Sequence, residues 1–263
     1  MHANPVNGID AERLYAEIDA LYARLAAAPR DEFDCNRGMR FAMTMLNYAP
    51  EALENVPRAS LARFVGRGNP HRIGTVLAGE TVLDAGCGAG SDLIIAAHAT
   101  GPAGRVIGVD ICGPLLDCAW TSACIAGVDG WTTLLAADYT DLPLDSGSVD
   151  VVMLNGSLNI ALDKRRVLAE CFRVLKPGGR LYLAEAVINE DIGFRWRDDI
   201  RLWAHGVAGA LNETELRTLV SAAGFTRLQL TERFDCFNGS RIALSMPVAG
   251  AINLFARKPM TAS

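Results

Sequence analysis

Lysine is scarce in this chain. Only three of its 25 cationic residues are lysines, and 30 acidic residues give a formal net charge of -5. Binding to a phosphate backbone draws its affinity from clustered cations, so this balance argues against a nucleic-acid partner. Long apolar runs are also missing: none reaches the roughly 18 residues that a membrane span requires. The opening "MHANPVNGID" has no apolar core of the kind a secretory signal carries. Together these absences predict a cytoplasmic protein with no membrane partner. The seven cysteines are odd in number and nowhere spaced C-x-x-C. They read as free thiols in a reducing compartment, with no zinc or other metal site. Internal repeats and low-complexity tracts are absent too. What remains is a chain of 263 residues, 50% hydrophobic, long enough to bury a real core as one α/β domain with appendages.

Along the chain, Leu14, Ile18, Leu21 and Leu25 follow the spacing of an amphipathic helix from Asp10, its N-cap, to about Ala28. Such a stripe must pack on something, and it can serve a homodimer as readily as a lid. Pro29, Pro50 and Pro57 break the segments that follow, so residues 1–78 read as a helical N-terminal extension. From residue 79 to 263 the pattern becomes strand, loop, helix: "ETVLDAG", "GSDLIIAAHAT", "GRVIGVD", "GPLLDCAWTSACIAG", "WTTLLAAD", "VDVVMLNGS", "LDKRRVLAECFRVL" and "RLYLAEAV". This alternation predicts a Rossmann-like, doubly wound and mostly parallel sheet with helices on both faces. A late helix near "NETELRTLVSAAGF" and two β-like runs, "RLQLTERF" and "AINLFARK", can add antiparallel edge strands.

The chemistry concentrates in "TVLDAGCGAG". In a parallel sheet the ligand sits beyond the carboxyl ends of the strands, where strand order reverses. Gly86, Gly88 and Gly90 let the backbone turn sharply and come close to a ligand. Asp110, twenty residues on, ends the second strand, where an acid can accept hydrogen bonds from ribose hydroxyls. A dinucleotide site asks for G-x-G-x-x-G. Here the spacing is G-x-G-x-G, and Asp84 stands two residues before the first glycine. A carboxylate there is a poor neighbour for pyrophosphate and a good one for an ammonium group. S-adenosylmethionine (SAM) offers an ammonium, a ribose and no phosphate, and a third acid, Asp138, recurs at the next strand end. A nicotinamide-dependent oxidoreductase on the same sheet is disfavoured by the glycine spacing.

"VLDAGCGAG", "RVIGVD", "AADYTDLPLDSGSVDVV" and "RVLKPGGRLYL" resemble the class I SAM-dependent methyltransferases over about Gly66 to Lys258. The resemblance implies Asp84, Gly86, Gly88 and Gly90 for the methionine portion and Asp110 for the ribose. It also implies Ile111 against the adenine, Asp138 and Tyr139 near the adenine amino group, and Asn155 facing the transfer site. A narrower similarity, carried by "NYAPEALENVP", "GRGNP", "DKRRVLAECFRVLKPGGRLYL" and "GVAGALNETELRTLVSAAGF", is to the arsenite methyltransferases. That family's pattern has cysteines where this chain has Arg67, Gly156 and Gly206.

Neither glycine nor arginine is a soft ligand for arsenic, so the expected activity is methyl transfer from SAM to a small organic acceptor. Alternatives are metalloid methylation through Cys35 or Cys236, and a SAM-binding protein without catalysis. In-line transfer chiefly needs positioning. Where the acceptor must lose a proton, His205 is the first candidate base, with Glu185 and Tyr139 behind it. Arg67 is a candidate for an anionic group on the acceptor.

Overall fold

The computed structural model describes residues 10–29, 36–188, 194–240 and 248–260. Four helices, α1 (Ala11–Ala27), α2 (Gly38–Met45), α3 (Pro50–Glu54) and α4 (Arg58–Leu61), precede the first strand. Then follow β1 (Thr81–Ala85), α5 (Ser91–Thr100), β2 (Arg105–Asp110), α6 (Gly113–Ala126), β3 (Thr132–Ala136), β4 (Val149–Asn155), α7 (Lys164–Val174) and β5 (Leu175–Ile188). The chain continues through α8 (Phe194–Arg197), α9 (Ile200–Ala204), α10 (Glu213–Ala222), β6 (Thr226–Phe234) and β7 (Val248–Arg257). Helix starts follow the sequence signals. Asp10 caps α1 by accepting from Glu12 N and Arg13 N, and Asn212 with Glu215 forms a reciprocal capping box on α10.

The seven strands lie in the order β3-β2-β1-β4-β5-β7-β6. β1 pairs in parallel with β2 on one side and β4 on the other, so the connections reverse direction between β1 and β4. β7 runs antiparallel between β5 and β6. Of the two tail strands expected at the edge, only β6 is therefore an edge strand. β7, whose Ile252, Leu254 and Ala256 are buried, is an interior one.

Successive strand residues point to opposite faces, and each face has its own core. Val82, Val106, Val151 and Met153 pack with Leu93, Ile94 and Ala97 of α5, and with Phe41, Leu46 and Leu53 of the N-terminal segment. Leu83, Ile107, Val152 and Leu154 pack with Val167, Leu168 and Cys171 of α7 and with Leu216 and Val220 of α10. Each fully buried side chain of this size contributes about 1.5 to 3 kcal/mol. α1 lies apart, its Leu14, Ile18 and Leu21 packed on Trp203, Ala204 and Ala208. Its apolar stripe is thus covered within the chain. Among the described residues, no helix is long and apolar enough to cross a membrane, and every described cysteine is free of disulfides.

Candidate active site

The sharp exit from β1 is held by its neighbour strand. Gly86 N and Cys87 N both donate to the Val109 carbonyl, at 2.8 and 3.1 Å, and Gly90 N donates to Cys87 O at 2.9 Å. Gly86, Gly88 and Gly90 adopt φ of 83°, 52° and 84°, in the left-handed region that favours glycine. A Cβ on Gly86 would stand 2.6 Å from that of Ser157, whereas one on Gly88 would meet nothing within 4 Å. One glycine lets the loop pack; the next leaves open space above it.

Asp84 is buried, and its Oδ2 has no hydrogen-bond partner among the described residues. Burial holds its carboxyl well above the usual carboxylate range, and the nearby Asp92 and Asp110 push it further. Asp110 accepts from Gly88 N at 2.8 Å and from Cys112 N at 2.9 Å, which ties the strand tip to the glycine loop. Asp138 accepts from Thr140 N at 2.8 Å, while the Tyr139 hydroxyl donates to Ser157 O at 3.0 Å. Burial raises the Tyr139 phenol well above its ordinary value, so it holds its proton. Ile111 is 41% exposed at the mouth.

Asn155, at the end of β4, uses both ends of its amide. Its Oδ1 accepts from Arg67 N at 2.7 Å and Gly68 N at 3.1 Å; its Nδ2 donates to Asp92 Oδ2 at 2.9 Å. Asp92 Oδ1 in turn accepts from the Tyr48 hydroxyl at 2.6 Å and lies 3.1 Å from His71 Nε2. Asp92, Tyr48 and His71 were not anticipated from the sequence. The only hint was an acid in the first turn after the glycine loop.

Two adjoining cavities meet over this loop. The larger, about 910 Å³ including its open mouth, holds Asp110, Ile111, Asp138, Tyr139 and the α1 residues Ile18 and Tyr22 on its walls. The smaller is lined by Asp84, Asp92 and Cys87. Arg63, Val65, Gly86, Gly88 and Asn155 line both. Arg63 Nε donates to Ala26 O at 2.8 Å and so anchors the end of α1 over the larger cavity.

His205 caps the end of α9, buried, and lines neither cavity; its carbonyl accepts from Arg67 Nη2 at 2.8 Å. Glu185, fully buried on β5, accepts from Leu158 N at 2.6 Å through Oε1, and burial pushes it up to about 7 despite Arg67 and Lys164 nearby. Lys164 donates to Ala161 O at 2.8 Å and is lowered to about 7 by burial. These two residues grip the 158–161 turn from either end.

The fold brings together three positions far apart in sequence. A Cβ on Gly156 would lie 3.0 Å from Arg67 Cγ, and one on Gly206 would lie 3.7 Å from the Gly156 carbonyl. The Arg67 guanidinium stacks 5.1 Å from the Phe237 ring centre. The stem of Arg67 lies beside Gly156, and its guanidinium reaches the carbonyl of His205, the residue before Gly206. Of the candidate soft ligands, Cys35 falls outside the described residues. Cys236 is buried at 1% exposure in the hydrophobic core.

Residues 83–183 match the family pattern of the methyltransferase domain. An arsenite methyltransferase of Halobacterium salinarum is 33% identical over 173 residues, covering 64% of this chain and 43% of that protein. A demethylmenaquinone methyltransferase of Lactobacillus johnsonii is 29% identical over 60% of this chain and 72% of its own length. The solved structure of an arsenic(III) S-adenosylmethionine methyltransferase from Chlamydomonas reinhardtii superposes with a TM-score of 0.67 at 29% identity, covering 79% of this chain and 71% of that one. The chain spans about half the length of the curated arsenite methyltransferases it matches. With its parallel sheet, its glycine loop at the β1 and β4 switch point and these relatives, the chain carries a class I SAM-dependent methyltransferase domain close to the arsenite methyltransferase family.

Proposed function

We propose that this protein transfers a methyl group from SAM to a small organic acceptor, and that arsenite is not its substrate. The observation that carries the second half is the convergence of Arg67, Gly156 and Gly206, where an arginine stem and two glycines stand at the positions for which the arsenite methyltransferase resemblance implies cysteines. The remaining buried thiols support the same reading. Burial and the charges of Asp110 and Asp84 raise the Cys87 thiol well above its ordinary value, so it stays protonated and is a poor soft-metal ligand.

The residues present fit the cofactor. In this reading the partnerless Asp84 Oδ2 receives the ammonium group, and the open space above Gly88 admits the chain leading to sulfur. Asp110 takes the ribose hydroxyls, Ile111 and Tyr139 wall the adenine, and Asp138 faces its amino group. Gly86 and Gly90 shape the loop. When bound, SAM would supply an electrophilic methyl group on cationic sulfur, with S-adenosylhomocysteine as the leaving group, and these residues would hold and orient it.

The lining shared by the two cavities, including Val65 and Asn155, is where the reacting atoms meet. Asn155 acts there by holding the Arg67–Gly68 backbone, and Tyr139 by fixing Ser157. His205 contributes through its carbonyl, which orients Arg67, and no base is assigned to its ring. The proposed catalysis is alignment and exclusion of water, with α1 as the cover; effects of this kind supply about 7 to 11 kcal/mol. Coverage of the α1 stripe within the chain supports the lid over a homodimer contact, and free thiols support a cytoplasmic setting.

The test is incubation with SAM and arsenite beside calorimetry with S-adenosylhomocysteine. Binding of the nucleoside without methylated arsenic is the expected result. Arsenite turnover abolished by Cys35→Ser or Cys236→Ser would overturn the proposal.

A further inference from the structure

Ile18, Tyr22, Val65, Gly156, Ile160 and Ala161, none of which is assigned to the cofactor above, line the larger cavity. Ile18, Tyr22 and Ile160 belong to one packed apolar cluster under α1. Four charged side chains also reach the cavity wall: Asp19, Arg63, Asp110 and Asp138. Three are acids. Among the described lining residues Arg63 is the one cation, and three of its N–H groups are held by backbone: Nε and Nη2 donate to the Ala26 carbonyl and Nη1 to the Ala59 carbonyl. Arg67, the next nearest guanidinium on this side, is 4% exposed, points to the His205 carbonyl and is not part of the wall. With Asp110 and Asp138 given to the cofactor, Asp19 and Arg63 are the charged residues left on the described wall, and an anionic acceptor would lose its hydration against the apolar side chains around them. An uncharged ring would gain burial and aromatic contact with Tyr22 and Tyr139.

We infer that the acceptor is an uncharged, largely apolar organic molecule carrying a ring, held between α1 and the Gly156–Ala161 turn, and that carboxylate- and phosphate-bearing acceptors bind there more weakly because the apolar lining strips their hydration. This inference rests on the methyltransferase reading and narrows its substrate class. Arg67, a candidate anion receptor from sequence, is instead a buried structural cation in this account.

Two ring probes of matched size, 2-naphthol and 2-naphthoate, can be titrated calorimetrically into full-length protein saturated with S-adenosylhomocysteine. At pH 7.5 the naphthol is neutral and the naphthoate anionic. The expected result is naphthol binding at least ten-fold tighter than naphthoate. Ile160→Asn should weaken naphthol by five-fold or more while the nucleoside still binds, which locates the site. Naphthoate binding equal to or tighter than naphthol would overturn the inference, as would naphthol affinity untouched by Ile160→Asn and by Ile18→Asn. Failure of S-adenosylhomocysteine itself to bind would instead overturn the methyltransferase reading, so the two failures are distinguishable.

Discussion

Arg67 Nη2 donates to the carbonyl of His205 at 2.8 Å across 138 residues of sequence. Together with the guanidinium's stacking on Phe237, this contact closes the floor beside Gly156 and Gly206. Arg67→Met keeps most of the volume and removes the charge. It should leave the His205 carbonyl without this donor and Glu185 with Lys164 but without the charge of Arg67, destabilising the fold by about 3 to 5 kcal/mol. Chemical denaturation at pH 8 and pH 5 checks this, and the loss should shrink at pH 5, where Glu185 carries its proton. A loss independent of pH would show that the charge of Glu185 does not feel Arg67.

The glycine loop separates packing from binding. Gly86→Ala forces a Cβ to 2.6 Å from Ser157 at a φ of 83°, so thermal unfolding should reveal a loss of several degrees. Gly88→Ala meets no protein atom within 4 Å, and its backbone strain costs about 1 kcal/mol. Its main effect should be on S-adenosylhomocysteine affinity, with a fall of ten-fold or more by calorimetry. Equal affinity in Gly88→Ala and the parent would place the nucleoside elsewhere.

Asp110 offers a ribose contact while already holding Gly88 N and Cys112 N. Asp110→Ala removes charge-assisted hydrogen bonds of about 1.5 to 3 kcal/mol, which lowers SAM affinity by about one to two orders of magnitude. Asp110→Asn, which keeps one acceptor oxygen, should recover part of that loss. An unchanged dissociation constant for Asp110→Ala would remove β2 from the site.

Glu185 links stability to pH. Its folded value, about 7, lies above its ordinary 4.5, so the folded state binds the proton more tightly than the unfolded state. Stability from this group is present below pH 4.5 and is lost as pH rises through 7, by roughly 3 kcal/mol at most. Glu185→Gln preserves an oxygen for Leu158 N and should flatten the stability curve between pH 4.5 and 7. The same slope in parent and variant would assign the dependence to another group.

Much of the architecture was legible from local pattern. The β1 to β5 alternation, the Asp10 cap and the late helix near "NETELRTLVSAAGF" depend on residues close in sequence, so periodicity and end chemistry exposed them. The position of β7 was not, since an antiparallel strand inserted between β5 and β6 is decided by pairing across the sheet. The glycine loop and the acids at the tips of β1 and β2 were legible as positions, because they lie within about thirty residues of one another; their role toward a cofactor belongs to the proposal above. His205 was not: its place beside "GVAG" suggested a role at the acceptor, yet its ring lies off both cavities.

By itself, then, the sequence determined a parallel sheet with carboxylates at its tips, a glycine bend between the first two, and arginine and glycines at positions 67, 156 and 206. Only the tertiary structure decided what Arg67, Gly156 and Gly206 meet, how Arg63 and Arg67 are held and where α1 lies. Those facts turn on side chains such as Arg67 and His205, or Asn155 and Asp92, separated by 138 and 63 residues. Their proximity is set by the packing of both sheet faces, and no local pattern encodes it.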